Sequence, residues 1–295
     1  MAGPVSGPNA TPVSNETKGV TVPWVMAARE RGERLVMVTA YDYGQGRTAD
    51  LGGADIVLVG DSLAMVVLGH PDTLSVTMDE MLHHTRAVRR GVKRPLLVAD
   101  MPYGSFHLGL EQATGNAIRF VKEAGAQGVK IEGARPEVVA ALVGAEVPVM
   151  AHLGLTPQSL HRLGGYKVQG RKEDVRQAIL EAAVELEAAG AFSLVLEAVP
   201  NDLAAEVTRS VGIPTIGIGA GAACDGQVLV YHDLLGLEER IAPRFVRRYA
   251  ELGVASREAI ARFAADVREG RFPSPEETYG SGPARPAEDL KKLYG

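Results

Sequence analysis

Val98-Ala99-Asp100-Met101-Pro102 is an apolar run that ends in a carboxylate, with a proline to stop the strand. The same event occurs upstream in Ile56-Val57-Leu58-Val59-Gly60-Asp61-Ser62. Downstream it recurs in Val129-Lys130-Ile131-Glu132-Gly133 and in Leu194-Val195-Leu196-Glu197-Ala198. Short continuous β-branched runs are what parallel strands buried on both faces require. Each run delivers an acid at or beside its C-terminal end, where a buried strand meets a loop. These acids are expected to converge on one metal-centred site, with Asp100 near its middle.

Outward from these runs the chain alternates strand and helix. Thr21 caps a helix over Trp24 to Arg31 with Pro23 in its first turn, and Leu35 to Ala40 is the first strand. A helix over Gly46 to Gly52 precedes the strand Ile56 to Val59. Ser62 to Val76 is a long connection, and such loops are usually functional. Thr77 and Glu80 form a capping box for a helix over Met78 to Arg90. Strands follow at Pro95–Ala99, Gly128–Ile131, Val147–His152, Phe192–Leu196, Ile213–Ile218 and Val228–Tyr231. Helices are expected at Leu110–Ala124, Pro136–Leu142, Glu173–Ala189 and Leu203–Ser210, and a second long loop at Leu153–Gly170. Arg244–Leu252 and Ser256–Glu269 read as closing helices. Eight β-then-α units predict an α/β fold, a single (β/α)8 TIM barrel with an N-terminal helix and C-terminal closing helices. A doubly wound sheet is the rival, but its first-turn phosphate fingerprint is missing.

The 295 residues, 46% of them hydrophobic, suffice for one such barrel. The domain plan is a disordered tail over 1–20, the catalytic barrel over 21–272 and a Pro-rich polar tail over 273–295, with one helical turn near Leu290. The tail holds the sequon Asn15-Glu16-Thr17, which carries no weight in such a segment, and lacks the basic and apolar regions of a secretory signal. A net charge of −5 offers no basic field to nucleic acid or to an anionic membrane. No apolar run approaches the roughly 20 residues of a membrane span. The single cysteine, Cys224, excludes an internal disulfide framework and fits a reducing compartment, so a cytoplasmic protein is expected.

Active sites of such barrels lie at the C-terminal ends of the strands. The candidates there are Asp42, Asp61, Ser62, Asp100, Lys130, Glu132, His152 and Glu197. A lone Asp after a strand is more often a helix cap or loop acid. Several acids in one cleft are different, because like charges repel and burial costs several kcal/mol each unless a cation or proton compensates. Carboxylates without a Cys cluster or paired His suit a hard cation, Mg2+ before Zn2+. Mg2+ takes one or two carboxylates directly, so Asp61 and Asp100 are expected as ligands and Glu132 through water. Lys130 and Glu132, two apart on a strand, should both face the barrel mouth; Lys130 binds a substrate carboxylate or, more simply, pairs with Glu132. His152 is either a substrate contact or a satisfied barrel histidine. Gly217-Ile218-Gly219-Ala220-Gly221 resembles a phosphate-binding turn, although such glycines also serve a tight βα turn.

With these residues in view, the chain resembles the ketopantoate (3-methyl-2-oxobutanoate) hydroxymethyltransferase family from about Val20 to Phe272. The motifs are Val38-Thr39-Ala40-Tyr41-Asp42, Gly60-Asp61-Ser62-Leu63, Asp100-Met101-Pro102-Tyr103-Gly104-Ser105 and Lys130-Ile131-Glu132-Gly133. Further along are His152-Leu153-Gly154-Leu155-Thr156-Pro157-Gln158-Ser159, Glu197-Ala198-Val199-Pro200, the Gly217–Gly221 stretch and Asp225-Gly226-Gln227-Val228-Leu229-Val230. The resemblance implies a barrel assembled as a homodecamer and the first committed step of pantothenate synthesis. The reaction would transfer a one-carbon unit from 5,10-methylenetetrahydrofolate to 3-methyl-2-oxobutanoate, giving 2-dehydropantoate. It also implies that Asp61 and Asp100 bind one Mg2+ per subunit and touch the substrate, with Glu132 also at the metal. Ser62 and Lys130 would contact the oxoacid, and Glu197 would be the proton acceptor. The chemistry agrees: a Lewis acid stabilises the enolate formed when C3 loses its proton, and a positioned base adds on the order of 10²–10⁴-fold.

The nearest rival is a Mg2+-dependent oxoacid lyase or mutase of the isocitrate-lyase type, which would be expected to carry a catalytic loop cysteine. Cys224 has no evident acid–base partner. A non-catalytic metabolite-binding barrel is the rival from another class, and it would not require a metal set, a lysine and a separate base together.

Overall fold

The computed structural model describes residues 19–240 and 243–279; the readings placed on 1–18 and on the segment around Leu290 lie outside them. The chain runs α1 (Val22–Met26), β1 (Leu35–Thr39), α2 (Tyr43–Leu51), β2 (Ile56–Val59), α3 (Leu63–Val66), α4 (Met78–Gly91), β3 (Leu96–Asp100) and α5 (Leu110–Ala124). It continues through β4 (Gly128–Glu132), α6 (Pro136–Gly144), β5 (Val149–Gly154), α7 (Leu160–Leu163), α8 (Glu173–Ala188), β6 (Ser193–Glu197) and α9 (Asn201–Ser210). Then come β7 (Thr215–Ile218), β8 (Gly226–Leu229), α10 (Tyr231–Leu234) and α11 (Leu252–Arg268). The eight strands pair in parallel, each with its sequence neighbour, and β8 closes on β1. No helix of the described residues is long and apolar enough to cross a membrane.

Alternation along the strands splits the core in two. Met37, Ile56, Leu58, Leu96, Val98, Met150 and Val195 fill the barrel interior, and Val20, Val25 and Ala28 plug its N-terminal end. Val57, Val59, Leu97, Ala99, Val129, Ile131 and Ala151 face outward against the helices. At the C-terminal end of the interior, the pleat that points Val98, Met150 and Val195 inward carries Asp100, His152 and Glu197 to the mouth. The Thr77–Glu80 capping box forms, with the Thr77 Oγ1 accepting from the Glu80 amide at 3.2 Å and Glu80 accepting from the Thr77 amide at 2.8 Å.

Several expectations need correction. The first helix ends at Met26 instead of Arg31, because Arg31 folds back to donate to the Trp24 carbonyl at 2.8 Å and Gly32, at φ 65°, turns the chain towards β1. Both long loops hold regular structure, α3 in one and a 3-10 turn (Pro157–Ser159) with α7 in the other. No helix separates β7 from β8; residues 219–225 make the connection. Arg244–Leu252 is not a helix. Its amides are spent elsewhere, Tyr249 on the Leu234 carbonyl at 2.8 Å and Leu252 on that of Leu235 at 2.9 Å. The second closing helix is present as α11, but no residue of it is buried.

A carboxylate-rich mouth as candidate active site

The loops at the C-terminal end enclose a cavity of about 510 Å³. Asp61, Ser62, Asp100, Lys130, Glu132, His152 and Glu197 all line it, whereas Asp42 does not. Asp42 is the N-cap of α2 and accepts from the Gln45 amide at 2.7 Å. It is the ordinary helix-cap acid.

Strand register sets the order of charges around the mouth. Asp100 on β3 lies beside Lys130 on β4, and Glu132 on β4 beside His152 on β5. Lys130 and Glu132 share a face, but the Lys130 Nζ donates to Asp100 Oδ1 at 2.5 Å and stays 4.0 Å from Glu132. Its first partner is therefore Asp100, not Glu132. The other Asp100 oxygen accepts from the Asp61 amide at 3.0 Å. His152 stands between two acids, its Nδ1 3.6 Å from Glu132 and its Nε2 3.4 Å from Glu197. Neither contact is a formed hydrogen bond, so both nitrogens of a buried ring lack a partner. The Ser62 hydroxyl meets the Tyr41 hydroxyl at 2.8 Å.

Backbone geometry fixes Glu197. Gly154 pairs with it in register at φ 96°, and a Cβ on Gly154 would lie 2.2 Å from the Glu197 carbonyl oxygen, so only glycine fits there. Ala198, at φ 46°, holds a conformation that L residues rarely adopt. Such strain persists only where surroundings dictate it, and here the Ala198 amide donates to the Ile218 carbonyl at 2.9 Å.

Burial, reinforced by Glu132 and by Asp100, pushes the Asp61 carboxyl well above the usual range, with Lys130 opposing. Burial also raises Asp100, although Lys130 pulls it down. At Glu132 burial works upward too, but His152 and Lys130 outweigh it and hold the carboxyl low. Burial and Lys130 press His152 down, yet Glu132 and Glu197 carry it up to about 9. The floor of the cavity therefore has more acid than its two bases can balance. That surplus suits a cation. Among the described residues no three His, Cys, Asp or Glu side chains already surround one point.

The two long loops supply an outer storey. Met65, Val66 and Thr73 come from the first, and Leu155, Tyr166 and Val168 from the second. Phe245 packs above Gly219, where a Cβ would lie 2.7 Å from its ring. The Gly217–Gly221 stretch is thus explained by close packing and positive φ at Gly219 and Gly221, and without a following helix it lacks the N-terminus that an anion-binding turn uses. Cys224 is buried beneath it, and burial raises its thiol. Sequence reasoning passed over Gln158, which hydrogen-bonds two of the acids. It sits inside a quoted motif, but a neutral amide in a loop gives no electrostatic signal.

An eight-stranded α/β barrel whose strand ends deliver a lysine, a histidine and a surplus of carboxylates has the makings of an enzyme of the barrel class, with its site at the mouth. Within that class the chain belongs to the ketopantoate hydroxymethyltransferase family, whose model matches residues 19–275. A 3-methyl-2-oxobutanoate hydroxymethyltransferase of Pelobacter propionicus is 51% identical over 269 residues, covering 90% of this chain and 100% of that one. Its counterpart from Nitratidesulfovibrio vulgaris is 53% identical over 275 residues, covering 92% and 89%. The chain is a transferase of this family. Among solved structures it resembles an oxaloacetate acetylhydrolase (TM-score 0.57, 15% identity, covering 94% and 99% of the two chains). It also resembles a phosphonopyruvate hydrolase in complex with oxalate and Mg++ (TM-score 0.56, 16% identity, covering 87% and 93%). Those likenesses concern the fold; the relatives at 51–53% identity are named as transferases.

Proposed function

We propose that the protein transfers the one-carbon unit of 5,10-methylenetetrahydrofolate to 3-methyl-2-oxobutanoate and so makes 2-dehydropantoate for pantothenate synthesis. The observation that carries this reading is the separation of jobs at the mouth of a chain from this family. Asp100 and Glu132 flank Lys130, with Asp61 bonded to Asp100 through its amide, while Glu197 stands on the far side of His152.

Asp61 and Asp100 would hold one Mg2+ per subunit directly, and Glu132 through water. When bound, the cation supplies Lewis-acid stabilisation of the negative charge that develops on the oxoacid oxygens. Lys130, buried and kept charged by Asp100, Glu132 and Asp61 against the pull of burial, would pair with the substrate carboxylate together with Ser62. Glu197 would take the proton from C3, and His152, held between Glu132 and Glu197, would contact the substrate and keep the base in place. The C3 carbon would bond to the one-carbon unit as both of its C–N bonds to the folate break; water supplies the hydroxyl oxygen, and its two protons with the one taken from C3 end on the two folate nitrogens and that hydroxyl, so that tetrahydrofolate leaves. The outer storey, with Tyr166 and Phe245, would shelter the reaction from bulk water.

We infer a homo-oligomer, a decamer by the family resemblance. Its support here is α11, which leaves Ile260, Phe263 and Val267 exposed, 66%, 53% and 47% respectively, with no residue buried. An apolar helix face of that kind calls for a cover. A cytoplasmic setting is supported by the single buried cysteine. One assay tests the function: consumption of 3-methyl-2-oxobutanoate that requires both the folate and Mg2+. Consumption without the folate would favour a lyase, and none at all a binding protein.

A further inference from the structure

Gln158 follows β5 in the 3-10 turn Pro157–Ser159 and is only 6% exposed. Its backbone amide donates to Glu132 Oε2 at 3.0 Å. Its side-chain Nε2 donates twice, to Asp61 Oδ2 at 2.9 Å and to the Met101 carbonyl at 3.0 Å. These acceptors decide which way the amide lies, since the reversed rotamer would set Oε1 against a carboxylate and a carbonyl. In the orientation present, Oε1 is buried with no partner. An orphaned buried acceptor is costly, so something at this position outweighs it.

Asp61 follows β2 and Glu132 ends β4, strands separated in the sheet by β3. As buried like charges they repel, and each raises the question of what holds it in place. Gln158 answers for both, and Asp61 passes the restraint on through its own amide to Asp100. A neutral double donor is apt for this task. A lysine or arginine in its place would neutralise Asp61 and compete with a cation, whereas the amide, anchored on the Met101 carbonyl, orients Asp61 and leaves its charge available. Gln158 stands behind Asp61 and Glu132, not among the side chains that line the cavity.

We propose that Gln158 is a positioning residue whose side chain fixes Asp61, beside the Glu132 that its backbone amide holds, in the arrangement a divalent cation requires. The inference rests on the cation site described above, and the alternative is that Gln158 merely fills space between the loop and the barrel. Gln158→Met keeps the volume and removes the side-chain donor. Titration calorimetry with Mg2+ alone should show binding weakened about 10- to 100-fold relative to wild type. In the assay the Mg2+ concentration for half-maximal rate should rise by a similar factor, while kcat at saturating Mg2+ changes little. Gln158→Asn, gentler on folding, keeps the amide but is one methylene too short to reach both acceptors, and should shift Mg2+ binding in the same direction. Wild-type Mg2+ affinity in the folded Met variant, or in the Asn variant if the Met variant does not fold, overturns the proposal. A wild-type protein that takes up no Mg2+ overturns the cation reading itself, and this inference with it.

Discussion

At the N-terminal end of the barrel, Arg29 lays its guanidinium against Asp225, with Nε 3.1 Å from Oδ1 and Nη2 2.6 Å from Oδ2. Its remaining donors reach the Val211 and Ile213 carbonyls at 2.6 and 3.2 Å, and Asp225 also accepts from the Thr215 amide at 2.8 Å. At the C-terminal end, Asp61, Asp100, Glu132 and Glu197 share Lys130 and His152. The pKa shifts tell the two ends apart. Burial would raise Asp225, but Arg29 and Thr215 hold it below the usual range, whereas Asp61 and Asp100 are driven up. Charge at one end is matched within the chain. At the other it is left in surplus, for a ligand to complete.

This contrast can be broken in stages. Glu197→Gln should have the largest effect, lowering turnover by about 10²- to 10⁴-fold as expected for loss of a general base, with Mg2+ binding retained. Asp100→Asn should weaken Mg2+ binding about 10- to 100-fold by calorimetry and leave Lys130 without its nearest anion. At the other end the currency changes from rate to stability. Arg29→Ala should cost roughly 1.5–3 kcal/mol in denaturant unfolding, as for a charged hydrogen-bond partner, while leaving kcat unaltered at 25 °C. The smallest effect is in pH. Because the folded Asp225 carboxyl is held low, its contribution to stability is complete above the ordinary Asp pKa and is lost as pH falls through the folded value. Unfolding curves of wild type and Arg29→Ala should therefore differ most at neutral pH and draw together as the pH drops below about 4.

The same two ends show what is legible in a sequence. The strands are plain because parallel barrel strands must be apolar on both faces, and Ile56–Val59 reads as one at sight. The strand-end acids follow from that reading, as does the shared face of Lys130 and Glu132. What eludes it depends on distant partners. Asp42 and Asp61 both follow apolar runs, yet one caps a helix and the other lines the cavity, and only the third dimension separates them. Arg244–Leu252 looks helical until its amides are seen bonded to the carbonyls of 234 and 235. Gln158 is silent because its role is to restrain charges that other segments carry. Asp225, quoted in a motif beside the others, belongs to the end that stabilises and not to the cavity.

The division of labour among the mouth acids is tested most directly by proton exchange at C3 of 3-methyl-2-oxobutanoate, followed by NMR in D2O with Mg2+ and without folate. The wild-type enzyme should exchange that proton, and Glu197→Gln should not, while calorimetry shows both binding Mg2+ alike. Exchange that survives in Glu197→Gln would contradict the account and move the base to another residue of the mouth.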